Sequence, residues 1–164
     1  MGKFDRTKCD CCVCPMQSVM QQLGDSNRND VGIATPVGVD GDIMINSAEG
    51  FIARTNNGSY PICNVTAVGV GAPPFDFTVK PLKKDVKGEC SCCEDPATNE
   101  LNLLIGEVVD IEFVGGVAPF ADGDIVTGTV TKVGEGILFL SDLGTLSSAA
   151  ISTCQITRIE LSTS

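Results

Sequence analysis

Histidine and tryptophan are absent from this chain of 164 residues, and tyrosine occurs once, as Tyr60. Without histidine, no imidazole can share metal ligation with the cysteines. With one tyrosine and no histidine or tryptophan, the stacking platform that single-stranded RNA needs is also missing. Basic residues are scarce: Lys and Arg total 11 against 21 Asp and Glu, a formal net charge of −10. The imbalance grows along the chain, since residues 101–164 carry only Lys132 and Arg158 against eight carboxylates. A surface of that sign repels phosphate backbones and anionic lipid heads, so nucleic acid and membranes are not expected partners. No apolar run approaches a transmembrane span, and Met1-Gly2-Lys3-Phe4-Asp5-Arg6 has no apolar core of signal-peptide length. Synthesis in the cytoplasm without a signal peptide is the expectation.

What is present points to a β protein. The hydrophobic share is 43%, drawn mostly from Val, Ile, Leu and Ala, and 18 glycines separate the short apolar runs. That pattern belongs to an all-β chain of short strands cut by turns. Nine cysteines accompany it. Cys9, Cys11, Cys12 and Cys14 fall within six residues, Cys90, Cys92 and Cys93 within four, and Cys63 and Cys154 stand alone. Cytosolic thiols stay reduced, so clusters of this kind usually hold metal or do redox work, unless the protein meets oxidation only after its compartment dies.

In chain order, residues 1–14 read as a cysteine-rich N-terminal arm. Met16, Val19, Met20 and Leu23 lie at offsets 0, 3, 4 and 7, one face of a helix with Pro15 in its first turn and Gly24 at its end. Strands are expected at Val31–Thr35, Asp42–Asn46, Phe51–Thr55, Ser59–Cys63 and Val65–Val70, with Asn56-Asn57-Gly58 as a hairpin turn. Residues 71–94 read as a linker with a strand at Phe75–Val79. A second helix runs from Asp95-Pro96 to Leu104, closed by Gly106. Strands follow at Glu107–Val114, Ile125–Val133, Ile137–Ser141, Ala149–Thr153 and Gln155–Leu161.

The two halves, 15–70 and 95–164, align. Cys63-Asn64-Val65-Thr66-Ala67-Val68 matches Cys154-Gln155-Ile156-Thr157-Arg158-Ile159, and Glu49-Gly50-Phe51-Ile52 matches Glu135-Gly136-Ile137-Leu138. Each half is thus preceded by a cysteine cluster and carries a short helix and five strands. Alternation places Ile43, Ile52, Val65 and Val68 inside one half and Val130, Leu138, Ile156 and Ile159 inside the other. Cys63 and Cys154 should occupy matching sites between the fourth and fifth strands.

The segments Ile105–Ile111, Val126–Val133, Ile137–Leu140 and Ile151–Ile159 resemble the small five-stranded barrel of the Sm-like proteins, akin to SH3 barrels. The resemblance implies two tandem barrels whose subunits join by strand pairing. A second resemblance rests on Cys9-Asp10-Cys11-Cys12-Val13-Cys14-Pro15 in a small acidic chain. It is similar to the cysteine-rich coat, exosporium and appendage proteins of spore-forming bacteria, and implies a spore-surface location with other cysteine-rich coat proteins as further partners.

Three functions compete on these residues. The first is a self-assembling structural subunit, not an enzyme, of a disulfide-cross-linked extracellular or spore-surface layer or fibre. All nine thiols serve as cross-linking candidates, the partner is the chain itself, and no cofactor is required. The second is a zinc module in which Cys9, Cys12, Cys90 and Cys93, spaced as two-residue-gap pairs, face one tetrahedral ion. The third is a thiol–disulfide redox protein using Cys11 and Cys14 before the helix at Pro15. Asp40, Asp42, Asp122 and Asp124 flank Gly-containing turns and are read as turn chemistry rather than calcium ligands. Nine is odd, so internal pairing leaves at least one thiol for another chain, a metal or the free state.

Overall fold

The computed structural model describes residues 7–78, 94–115 and 125–163, with side chains from Val13 and from Pro96 onward in the two helices. The first half consists of α1 (Thr7–Asp25), β1 (Val31–Thr35), β2 (Gly38–Ile43), β3 (Ile45–Glu49), β4 (Ile52–Thr55), β5 (Gly58–Pro61), a 3-10 turn (Ile62–Asn64) and β6 (Ala67–Val70). The second half follows with α2 (Glu94–Asn102), β7 (Val108–Phe113), β8 (Ile125–Gly134), β9 (Ile137–Ser141), β10 (Ser148–Ser152), a 3-10 turn (Thr153–Gln155) and β11 (Ile156–Leu161). The fold is mainly β, as expected.

The α1 helix starts earlier than its sequence pattern suggests. Thr7–Cys14 is helical, so the expected free arm is largely the first turns of a 19-residue helix, and Pro15 lies inside it rather than at its start. Proline lacks an N–H, which deprives the Cys11 carbonyl of its usual helical donor. The apolar face beyond it holds the helix in place: Val13, Met16, Val19, Met20 and Leu23 are all buried. Each such side chain contributes about 1.5–3 kcal/mol on burial. A helix of this length would be marginal alone. It lies mainly on β3, where a Cβ at Gly24 would already stand 3.3 Å from the Ile45 carbonyl oxygen.

Both halves pair their strands in the same order. In the second, β7 pairs β8, β8 pairs β9, β9 pairs β10, and β11 returns to β7, all antiparallel. In the first, β1 pairs β2, β3 pairs β4, β4 pairs β5, and β6 returns to β1. Here the long second strand is broken at Met44 into β2 and β3, next to Asp42 in the left-handed region at φ 54°. Asp40 and Asp42 therefore sit within a bent strand and not in a turn.

The halves share one sheet. β6 pairs antiparallel with β10, in the register Ala67↔Ile151, Val68↔Ala150, Gly69↔Ala149 and Val70↔Ser148. This seam makes one eight-stranded sheet in the order β11-β7-β8-β9-β10-β6-β1-β2, with β3-β4-β5 as a second sheet. No closed barrel forms among the described residues. The physical reason is local: in each half the 3-10 turn carries the fifth strand away from the fourth, and the fourth strand of the second half takes the fifth strand of the first as its neighbour.

The seam also mixes the cores. Val68, Val70, Ala150, Ile137 and Phe139 join the cluster under α1, whereas Ala34, Ala67, Ala149, Ile151, Leu138 and Leu140 join the cluster with Leu101 and Val109. Successive residues point to opposite faces of a strand, so these central strands are buried on both sides. Of the expected interior residues, Ile43, Val65, Val68, Val130 and Leu138 are buried, while Ile52, Ile156 and Ile159 are only half-buried. For Ile52 the cause is the hairpin turn. Gly50 and Phe51 both have positive φ, at 61° and 63°, so Phe51 belongs to the turn and Ala53 takes the core position.

The segment after β6 is not a free linker in its described part. Residues 71–78 form no strand, because Pro73 and Pro74 cannot donate to a ladder. They strap across the sheet instead, with Phe77 buried and its ring centroid 5.2 Å from that of Phe139. The Phe75 amide donates to Ser148 Oγ at 3.0 Å, and the Thr78 amide to Gln22 Oε1 at 2.7 Å. At its start, Arg28 holds Asp30 through two bonds and donates to the carbonyls of Pro73 at 2.8 Å and Gly71 at 3.1 Å. This hydrogen-bonded guanidinium keeps the Asp30 carboxyl below its usual range.

Candidate functional site

The two lone cysteines occupy matching positions. Cys63 is the middle residue of the 3-10 turn Ile62–Asn64, and Cys154 is the middle residue of Thr153–Gln155. Pro61 and Ser152, just before the turns, have φ, ψ of −58°, 123° and −64°, 123°. Each turn is closed by the same bond, from Val65 to the Ile62 carbonyl and from Ile156 to the Thr153 carbonyl. Each turn packs against the helix of its own half, α1 or α2. The repeat read from the cysteines is therefore present in the backbone.

Their chemical states differ. Cys63 is a free, exposed thiol. Cys154 is half-buried and disulfide-bonded. No disulfide joins two described cysteines, so its partner lies outside the described residues. Cys14 is half-buried on α1. The backbone of Cys9, Cys11 and Cys12 is helical, and their side chains lie outside the described residues. Cys90, Cys92 and Cys93 lie wholly outside them, as do Asp122 and Asp124. The side chains of the zinc set Cys9, Cys12, Cys90 and Cys93 therefore all lie outside the described residues. Among the described residues no group of three or more Cys, Asp or Glu is placed to hold a metal ion.

Concavities offer little chemistry. One hollow, between the end of α1 and β3, is lined by Gln21, Asp25, Asn27, Asn46 and Glu49. Another lies beside the strap, where Lys132 donates to the Phe77 carbonyl at 3.0 Å and pairs with Asp76.

The open edges of the sheets carry more. β3 and β5 end the three-stranded sheet, and β2 and β11 end the eight-stranded one. On β5, the Ile62 amide donates to the Phe51 carbonyl at 2.9 Å, continuing the β4–β5 ladder. Backbone groups alternate in direction along an antiparallel strand. Gly58 and Tyr60 therefore face β4, and Ser59 and Pro61 face the open side. On β11, the Ser162 amide donates to the Val108 carbonyl at 3.0 Å, so Arg158 and Glu160 face β7 while Ile159 and Leu161 turn their backbone outward. Leu161 is 50% exposed and Ile159 half-buried, so apolar surface borders this edge. Arg158 is held by Glu112 at 2.9 Å and Glu160 at 2.5 Å.

The chain matches no protein-family model, no curated protein and no solved structure. Function therefore rests on the geometry alone. Tyr60, near the β5 edge, donates from its hydroxyl to Asp40 at 2.7 Å and accepts from Asn57 at 3.0 Å. Burial first, and the bond to Asp40 second, raise its pKa above that of free tyrosine.

Sequence reasoning missed the seam, although a signal for it exists. Ala67-Val68-Gly69-Val70 and Ser148-Ala149-Ala150-Ile151 are short runs of small or apolar residues without polar alternation. Such runs mark strands covered on both faces.

Proposed function

We propose that this chain is a self-assembling structural subunit of a disulfide-cross-linked layer or fibre at a spore surface or another extracellular surface. Its partners on this reading are further copies of itself and other cysteine-rich coat proteins. Each half is a degenerate Sm-like unit, opened where units join, a reading supported by the identical pairing order of the two halves. The observation that carries the proposal is that β5 and β11, each at an end of its sheet, are paired on one side only, with the exposed thiol of Cys63 two residues beyond β5. An unpaired strand edge is a template for another chain. Pairing of edges sets the geometry, and disulfides lock it.

The test is sedimentation of the native chain with and without reductant, beside elemental analysis. Concentration-dependent association, made resistant to detergent by oxidation and reversed by reductant, is the expected result. A monomer under all conditions contradicts it, and one zinc per chain recovered with the protein favours the metal module instead.

A further inference from the structure

Asn57 is the only asparagine of the chain that is followed by glycine, and it stands at the tip of the β4–β5 hairpin. Its backbone amide donates to Thr55 Oγ1 at 3.0 Å, and Thr55 Oγ1 donates to the Gly58 carbonyl at 2.8 Å. Neither Asn56 nor Asn57 has positive φ, whereas Gly58 has φ 104°, so glycine takes the position of the turn that a side chain would strain. Residues Asn56, Asn57, Gly58 and Ser59 are all exposed. We infer, independently of the assembly reading, that Asn57 is a site of self-modification. Its side-chain amide is lost by ring closure onto the Gly58 nitrogen, which leaves aspartate or isoaspartate at the tip of this hairpin.

Asparagine is among the thermolabile residues, and this pair of residues shows why. The Gly58 nitrogen, deprotonated by hydroxide, attacks Cγ of Asn57. An N–C bond forms, the Cγ–Nδ2 bond breaks, and Nδ2 leaves as ammonia with a proton from water, which regenerates the hydroxide. The product is a five-membered succinimide. Water then opens the ring at either carbonyl, giving aspartate if the original backbone is restored and isoaspartate if the backbone now runs through the side chain. Water is the only co-reactant. Glycine at the attacking position removes the Cβ that would crowd the ring, and the space around Gly58 is open, with nothing within 4 Å of an added Cβ. The Asn57 carboxamide donates to the Tyr60 hydroxyl at 3.0 Å, which draws it forward along the chain, toward the side on which the Gly58 nitrogen lies. Gly58 also pairs with Thr55 in the ladder, so the turn must open before attack. That opening costs about one hydrogen bond, up to about tenfold in rate.

The product alters the hairpin in two ways. The Tyr60 hydroxyl loses the donor at Asn57, and a carboxylate is added near Asp40, which already accepts from that hydroxyl at 2.7 Å. Like charges brought together in this way disfavour each other, and the chain, already at a formal net charge of −10, becomes more acidic. Isoaspartate further adds a backbone carbon between Thr55 and Gly58. Loop length fixes hairpin register, so the Thr55–Gly58 pairing and the two bonds through Thr55 Oγ1 are disturbed. Because β5 ends its sheet and pairs with β4 alone, the strand that loosens has no second neighbour to hold it.

Timed incubation of the full chain tests this. Dilute protein is held in mildly alkaline, ammonia-free buffer with reductant, folded in one series and unfolded in urea in another. Trypsin cuts after Arg54 and releases the turn in one peptide. Mass spectrometry then follows the amide-to-acid mass gain residue by residue, and an isoaspartate methyltransferase labels isoaspartate. In the folded chain Asn57 should convert ahead of every other asparagine, through a succinimide seen as loss of ammonia, to both products, and faster as pH rises. Its rate should stay within about tenfold of the rate in urea. Asn57→Gln, which would have to close a larger ring, should keep its amide over the same period with the far-UV circular dichroism of wild type. In Asn57→Asp, which carries one of the products, the phenol of Tyr60 should titrate at higher pH than in wild type, because the hydroxyl loses a hydrogen-bond donor and gains a carboxylate neighbour. An Asn57 that converts in urea but stays intact in the folded chain overturns the inference. So does another asparagine converting first, or aspartate formed with neither succinimide nor isoaspartate. None of these results depends on whether copies of the chain associate, so the assembly reading stands or falls separately.

Discussion

Replacing Met20 by alanine asks whether the seam makes the two halves one cooperative unit. Met20 is fully buried among Met16, Val19, Leu23 and the inner residues of the first half. Truncating a buried methionine to alanine costs about 2–5 kcal/mol, depending on how far the cavity collapses. With a urea slope of about 2 kcal/mol/M, a loss of about 3 kcal/mol lowers the midpoint by about 1.5 M. The perturbation lies wholly in the first-half core, but β6 and β10 are both central strands of the shared sheet. Unfolding of the first half therefore strips β10 of a neighbour and exposes Ala149 and Ala150. The assay follows two signals at a concentration below association: fluorescence of Tyr60, the sole tyrosine in a chain without tryptophan, and far-UV circular dichroism of the whole fold. Both should move together to the lower midpoint. A shifted Tyr60 transition beside a dichroism transition that stays at the wild-type midpoint would refute the reasoning, because it would show the halves folding independently.

Three further outcomes follow from single contacts. Gly115→Ala should destabilise by more than about 1 kcal/mol and lower the thermal midpoint, since Gly115 sits at φ 82° and an added Cβ meets the Thr35 backbone. The hydroxyl of Thr66 is buried with no hydrogen-bond partner, so Thr66→Val should leave stability unchanged or raise it by about 1 kcal/mol in urea unfolding. A clear loss instead would point to a buried water on that hydroxyl. Asp30 has a depressed folded pKa, so its pairing with Arg28 stabilises the fold above the ordinary aspartate range, and the contribution fades as pH falls through the folded value. Asp30→Asn should accordingly be less stable than wild type at neutral pH and converge with it in acid, and a gap that persists at low pH would contradict the pairing.

The parts of the fold visible in the sequence are those set by local chemistry. The face Met16, Val19, Met20, Leu23 predicts the buried side of α1, and Asn56-Asn57-Gly58 predicts the β4–β5 hairpin, closed by the Asn57 amide donating to Thr55 Oγ1 at 3.0 Å. Cys63 and Cys154 mark the matching turns. The N-terminal start of α1 is hidden by Pro15, which argues locally for a first turn while burial downstream tolerates it inside the helix. The inward assignment of Ile52 fails because the turn at Gly50 and Phe51 shifts the alternation. The seam is hidden for a different reason: pairing between Val68 and Ala150 joins residues 82 apart, and the small side chains that permit it carry no register signal of their own. The open edges are defined by the seam, so the candidate site was out of reach until the pairing was seen.

Amide hydrogen exchange at Ser59, Ile159 and Leu161, followed against protein concentration in reductant, tests self-assembly through the open edges most directly. These amides face solvent in a single copy, and pairing between copies covers them, so their exchange should slow as concentration rises. The amides of Val68 and Ala150, covered by the internal seam, should be slow at every concentration. Fast exchange at Ser59, Ile159 and Leu161 in samples that have associated would contradict edge pairing.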